Sequence, residues 1–258
     1  MPIVDVDGCA INVQVDGRKD ASPLMLSNSM GCSLEMWQPQ MAALAQKFRV
    51  IRYDRRGHGK SAASNAGYGI ERFGRDAIAI MDYLGVDKTH WCGISLGGIV
   101  GQWIAAKAPG RIDRLILSNT TSYVADPTNW LNRIKAVQTG GLASIADAVL
   151  AGWLTEDFRQ RHPDMVASLR QMLISTNPTA YEGCCETLSN LDQREMLSRI
   201  ACQTLIIAGV HDKSTPIPAG ELLKEKIPNA RMEIIEAAHI SNVEAADRFT
   251  QLVLSFLE

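Results

Sequence analysis

Gly93-Ile94-Ser95-Leu96-Gly97-Gly98 lies between an apolar run, His90-Trp91-Cys92, and a helical run, Ile99-Val100-Gly101-Gln102-Trp103-Ile104-Ala105-Ala106. A serine with a glycine two residues away on either side, at a strand-to-helix junction, is the G-x-S-x-G pattern of a nucleophile elbow. The glycines have a steric task. The sharp turn presses backbone against the neighbouring strand and helix, where a β-carbon at Gly93 or Gly97 would collide. Such a turn exposes the Ser95 hydroxyl at the carboxyl end of a strand and aims the following helix N-terminus at developing negative charge. An ordinary glycine-rich turn has the same local sequence, so the reading depends on companion residues elsewhere in the chain.

Around this unit, strands and helices alternate. Residues 9–15 alternate apolar and polar side chains (Ile11, Val13, Val15), the pattern of a half-buried edge strand. Pro23-Leu24-Met25-Leu26 is a short apolar run, residues 36–46 have helical spacing, and Phe48-Arg49-Val50-Ile51-Arg52-Tyr53 reads as a strand. A loop, Asp54-Arg55-Arg56-Gly57-His58-Gly59, precedes a helix over 70–84. Further strands are predicted over 112–118, 204–208 and 232–235, the last two each followed by a helical segment. Repeated strand–helix units imply an α/β fold, a mostly parallel sheet with helices on both faces. The pattern breaks over 121–192, which is helical in character, punctuated by Pro127, Pro163 and Pro178. The expected organisation is a core of residues 1–120 and 193–258 with a helical lid inserted at 121–192.

Composition narrows the function classes. The chain has 258 residues, 46% hydrophobic and 21% charged, the profile of one globular α/β domain with an insertion. A net charge of −2 offers no electrostatic footprint for nucleic acid or an acidic membrane. The N-terminal Met1-Pro2-Ile3-Val4-Asp5-Val6-Asp7 lacks the basic-then-apolar plan of a signal peptide, and no apolar run is long enough to span a bilayer. The six cysteines lack metal-ligand spacing and read as reduced, mostly buried thiols of a cytoplasmic protein; Cys184-Cys185 reads as filler in an apolar helix. The sequence sets no oligomeric state.

A nucleophilic serine needs a base, and the base needs an orienting acid. Of the five histidines, His239 follows the final strand in Ala237-Ala238-His239-Ile240-Ser241-Asn242, which puts it on the rim expected for Ser95. His90 precedes the elbow strand at the opposite end of the sheet, and His162 lies in the insertion. His58 is on the correct rim, but its Arg-Arg-Gly-His-Gly setting suggests a structural hydrogen bond. The acid expected is Asp212, just past Leu205-Ile206-Ile207-Ala208-Gly209. Its rival location, the loop after the 112–118 strand, offers Asn119 and no acid. Asp113 is at the wrong end of that strand, and Asp126 is in the insertion. His211 beside Asp212 has no further ligands to make a metal site. The order Ser95, Asp212, His239 is the one the elbow motif predicts. The oxyanion donors expected are the backbone N–H of Leu96 and, from the Ser27-Asn28-Ser29-Met30-Gly31 loop, that of Met30, with Gly31 as its alternative.

These segments resemble the α/β-hydrolases along the whole chain, and more narrowly the 3-oxoadipate enol-lactonases. The resemblance is carried by Leu26-Ser27-Asn28-Ser29-Met30-Gly31 with Met36-Trp37, by Arg52-Tyr53-Asp54-Arg55-Arg56-Gly57-His58-Gly59, by the elbow with Gly101-Gln102-Trp103, and by Ala237-Ala238-His239-Ile240-Ser241-Asn242-Val243-Glu244. The elbow is common to the superfamily. The Ser-Asn-Ser loop, where many relatives carry His-Gly, and the Ala-Ala-His-Ile-Ser-Asn segment are specific to the lactonases. The resemblance implies hydrolysis of a small lactone bearing a carboxylate arm, with no metal or organic cofactor and with neither nucleic acid nor membrane as partner. That arm calls for a cation. Arg133, one helical turn from Trp130, is preferred over Lys135 because a guanidinium grips a carboxylate through two parallel hydrogen bonds. Trp130 and Trp153 are the expected apolar wall. A generic carboxylesterase or a cofactor-free perhydrolase would share the triad, and some scaffolds of this fold only bind ligands.

Overall fold

The computed structural model describes residues 3–64 and 67–258; the Met1-Pro2 start of the N-terminal segment lies outside them. Eight strands form one sheet: β1 (Ile3–Val6), β2 (Cys9–Asp16), β3 (Pro23–Ser27), β4 (Arg49–Tyr53), β5 (Thr89–Ile94), β6 (Ile112–Ser118), β7 (Gln203–Gly209) and β8 (Ala230–Ile235). Their spatial order is β1-β2-β4-β3-β5-β6-β7-β8, with β1–β2 and β2–β4 antiparallel and the remaining pairs parallel.

All six residues of β5 are buried, as a strand must be when helices cover both faces. The covering helices are α1 (Gln38–Lys47), α2 (Ile70–Tyr83) and α3 (Leu96–Lys107). Five more, α4 (Thr128–Gly140), α5 (Ala146–Trp153), α6 (Glu156–Arg161), α7 (Pro163–Ile174) and α8 (Pro178–Ser189), come between β6 and β7; α9 (Ile217–Lys226), α10 (Ser241–Glu244) and α11 (Ala246–Leu257) complete the chain. The α11 sequence shows why it docks: Phe249, Leu252, Val253, Phe256 and Leu257 recur at helical spacing and are all buried. α11 packs on α1, and α2 packs on α3.

Two expectations need correction. The 9–15 segment is not the sheet edge, because Ile3–Val6 pairs outside it in antiparallel register, Val4 opposite Ile11. Four residues, Ile3-Val4-Asp5-Val6, are too short a run to announce a strand; the partner supplies the missing hydrogen bonds. The 36–46 helix is also split. A 3-10 turn over Leu34–Trp37 precedes α1, with the Ser33 hydroxyl accepting from the Glu35 N–H and Pro39 at the start of the α-helix proper.

The segment between β6 and β7 leaves and returns through one narrow neck. Gln193 N–H donates to Ser122 C=O (2.7 Å) and Val124 N–H to Leu191 C=O (3.0 Å), with a β-bridge between Tyr123 and Asp192. All six cysteines are free thiols. Burial pushes those of Cys184 and Cys185 up to about 12, which leaves them protonated and inert. Among the described residues, no helix is long and apolar enough to cross a membrane.

Candidate active site

Parallel register brings the chemistry to one rim. Ile94 pairs with Ser118, Ser118 with Ile207 and Gly209 with Ile235, so β5 to β8 end together. The loops leaving these ends carry Ser95, Asn119, Asp212 and His239.

Ser95 sits at φ 54° and ψ −118°, a backbone conformation that a side chain tolerates only when its surroundings enforce it. They do so here. Its N–H donates to Ser118 C=O (3.0 Å), and its C=O accepts from the Gly98 and Ile99 N–H groups (2.9 and 3.1 Å) and from the Thr120 hydroxyl (2.7 Å). The glycines are required by contact: a β-carbon on Gly93 would lie 2.2 Å from Gly97 O, and one on Gly97 would lie 2.1 Å from Ser27 O. Within residues 91–100, Ser95 is the residue left partly exposed while its neighbours are buried.

His239 is buried and its Nδ1 lies 2.9 Å from Asp212 Oδ2. A carboxylate only accepts, so Nδ1 carries the proton and Nε2 is left as an acceptor, on a residue that lines the cavity. Asp212 is itself locked. Its Oδ1 accepts from the Ser214 and Thr215 N–H groups (2.8 and 3.0 Å), and Oδ2 accepts from the Thr215 hydroxyl (2.6 Å) as well as His239. Burial raises its proton affinity, but the charge and hydrogen bond of His239 and the two Thr215 donors outweigh that and hold the carboxyl well below the usual carboxylate range.

Two backbone N–H groups are the oxyanion candidates here. That of Leu96, at the first position of α3, has no acceptor inside its own helix. That of Met30 belongs to the Ser29–Met30 peptide, whose C=O accepts from the Cys32 N–H (3.3 Å); the trans peptide then turns its N–H the opposite way, where Ser29 and Met30 line the cavity. Asn28 anchors this loop. Its Nδ2 donates to Tyr53 C=O (2.9 Å), its Oδ1 accepts from the Trp37 indole (2.8 Å), and its own C=O accepts from Arg55 (3.0 Å).

Ser95 and His239 open into one cavity of about 730 Å³, also lined by Trp130, Arg133 and Trp153. The Arg133 guanidinium lies over the Trp130 ring at 5.0 Å and donates to the Tyr181 hydroxyl (3.3 Å), and it pairs with no carboxylate among the described residues. Lys135 is exposed and outside the cavity lining. Lys213 also lines it, a lone lysine in a loop that no sequence pattern marks. The loop bearing His239 is tied to the inserted helices: Ile240 N–H donates to Trp153 C=O (2.9 Å), and Glu244 accepts from Ala238 N–H (2.7 Å) and Thr155 N–H (3.1 Å).

The other histidines are placed elsewhere. His58 is buried with Nδ1 donating to Arg56 C=O (3.2 Å), and burial, with the Arg55 charge nearby, pushes it down to about 3, so it stays neutral. His90 lies near Asp113 at the amino end of the sheet (3.3 Å). His162 stacks on Phe158 (4.4 Å between centroids), and His211 pairs on the surface with Glu236 (2.8 Å).

A sheet of this order with an elbow serine and a buried histidine–aspartate pair on one rim defines a class of hydrolase, and comparison with known proteins agrees. The chain belongs to the alpha/beta hydrolase fold family, whose model matches residues 23–246. It is an enzyme of that class. Among curated proteins it is 38% identical to 3-oxoadipate enol-lactonase 2 of Acinetobacter baylyi, over 95% of this chain and 91% of that protein. It is 30% identical to a putative carbamate hydrolase RutD of Caulobacter, over 98% of this chain and 96% of that protein. The solved enol-lactonase of Burkholderia xenovorans LB400 superposes with a TM-score of 0.97 at 38% identity, covering 99% of both chains.

Proposed function

We propose that this chain hydrolyses 3-oxoadipate enol-lactone, a small cyclic ester with a carboxylate arm, to 3-oxoadipate in aromatic-compound breakdown. Ser95 Oγ attacks the lactone carbonyl while His239 Nε2 takes its proton, and Asp212 steadies the resulting imidazolium. The Met30 and Leu96 N–H groups hold the tetrahedral oxyanion. Collapse breaks the ring C–O bond, the leaving enolate takes the proton back from His239 Nε2, and the enol so formed becomes a ketone on the same acyl chain. Water, deprotonated by His239, then attacks the ester and releases Ser95. Residues 121–192 act as a lid over the core formed by 1–120 and 193–258, with Trp130 and Trp153 as the apolar wall.

The observation that carries this reading is Arg133, a half-buried cation without a carboxylate partner among the described residues, in the cavity that Ser95 and His239 share. A guanidinium held over an indole is pre-positioned to grip an anion. Arg133→Ala is therefore expected to cost about 1.5–3 kcal/mol in kcat/KM on the enol-lactone, the range for a hydrogen bond to a charged group. A neutral nitrophenyl ester of similar size should lose little, and Arg133→Lys should recover part of the loss. Steady-state kinetics of both substrates on the three proteins make the comparison. Equal losses on both would assign Arg133 to support of the helices and count against a carboxylate-bearing substrate.

A further inference from the structure

We propose that Asn119 is a positioning residue that locks the Asp212–His239 pair by bridging the two loops that carry it. The inference rests on the triad reading above. Asn119 is buried, at φ 45°, in the loop leaving β6. Its Nδ2 donates to Asp212 Oδ2 (3.0 Å) and to Ala238 C=O (3.1 Å), one hydrogen bond into the acid's loop and one into the loop of His239. Its Oδ1 accepts from the hydroxyls of Ser118 (2.8 Å) and Ser241 (2.5 Å). An amide has two donor hydrogens and two acceptor sites, and all four are used.

This pattern specifies an amide. Both partners on the nitrogen side, a carboxylate and a carbonyl, are acceptors alone, so that end must donate. An aspartate there would lose both donors and set a second anion against Asp212. The backbone is shaped around the bridge as well. Asn119 N–H is anchored to Ile207 C=O (2.8 Å), and asparagine is among the few residues that accept the left-handed conformation found here. A β-carbon on Gly209 would come 2.4 Å from Ala237 O and 3.0 Å from Asn119 Nδ2, so the end of β7 is bare where the amide passes. Asp212 Oδ2 thus has the Thr215 hydroxyl and the Asn119 amide as fixed donors, which leave it a defined direction from which to receive His239 Nδ1–H.

The test is a double-mutant cycle on the full chain. Asn119→Gly removes the amide yet suits the positive φ, and Asp212→Ala removes its target. Asn119→Gly is expected to lower kcat about 100-fold with KM changed less than about threefold, since a misplacement of about 1 Å at the reacting groups carries that cost. In the Asp212→Ala background the same substitution should cost less than about threefold, because the group it positions is gone. Equal factors in both backgrounds would overturn the proposal and leave Asn119 a packing residue. Should Asn119→Gly not fold, Asn119→Asp, which keeps the side-chain shape, is expected to lose at least about tenfold in kcat, and wild-type kcat there would overturn the proposal equally. The triad reading fails separately, and visibly, if Asp212→Ala alone retains its activity.

Discussion

Ser95→Ala should lower kcat on any ester substrate by about 10⁶-fold, with His239→Ala close to it and the two together no worse than either alone, because the members of such a triad act as a unit. The structure gives the reason. Ser95 is held in its strained turn by four hydrogen bonds to its own peptide groups, so its hydroxyl is presented at a fixed point on the rim. Two neighbouring hydroxyls of the same cavity are otherwise engaged, Thr120 on Ser95 C=O and Thr215 on Asp212. KM should change little, since binding relies on the cavity walls. Residual turnover of about 10³-fold or more over water would remain from the backbone N–H pair and from binding. Measured by steady-state kinetics on purified, folded variants, a Ser95→Ala protein within tenfold of wild type would remove the nucleophile from the account.

The second large effect is expected at Asp212→Asn, about 10⁴-fold in kcat, for a reason of hydrogen-bond polarity rather than shape. Oδ1 of Asp212 faces two backbone N–H groups that cannot reverse, those of Ser214 and Thr215. The asparagine must therefore keep its oxygen there and turn its NH₂ toward His239, Thr215 and the Asn119 amide, where it meets a donor with a donor. His239 Nδ1 then has to accept, which moves the ring proton to Nε2 and leaves no base for Ser95. The fold should survive. A folded variant with a lowered melting temperature, because the Asn119 amide then faces a second donor, and with kcat reduced about 10⁴-fold is the expected result, read by thermal unfolding alongside kinetics. Near-normal turnover would put the orienting acid elsewhere.

What could be read from the chain divides along physical lines. Gly93 and Gly97 announced the elbow because close backbone contact forbids a side chain, and such prohibitions survive in sequence as glycine at fixed spacing. The parallel strands were legible as apolar runs because both faces are covered. β1 was not, since its pairing with β2 is a tertiary event with almost no local signal. In the sequence Asn119 marks only a loop without an acid; its four-way hydrogen bonding depends on Ser118, Asp212, Ala238 and Ser241 meeting in space. The same holds for Asn28. The motif marks it, but the anchoring by Trp37, Tyr53 and Arg55 that fixes the Met30 loop appears only in the folded chain. Asn242 is a third case. Its amide ties the segment after His239 to Met36 C=O (2.8 Å) and Gln40 (3.1 Å), so the residues that carry the lactonase resemblance are in good part those that hold the site's loops in place.

The most direct test of the account is to generate 3-oxoadipate enol-lactone in situ and follow its loss by ultraviolet absorbance with this protein. Wild type is expected to consume it with a kcat/KM roughly 10- to 100-fold above that for a neutral nitrophenyl ester, the factor that one well-made hydrogen-bonded charge contact supplies, and Ser95→Ala should abolish both activities. Turnover of the nitrophenyl ester with no loss of the lactone above the uncatalysed rate would contradict the enol-lactonase reading and leave an esterase of the same fold.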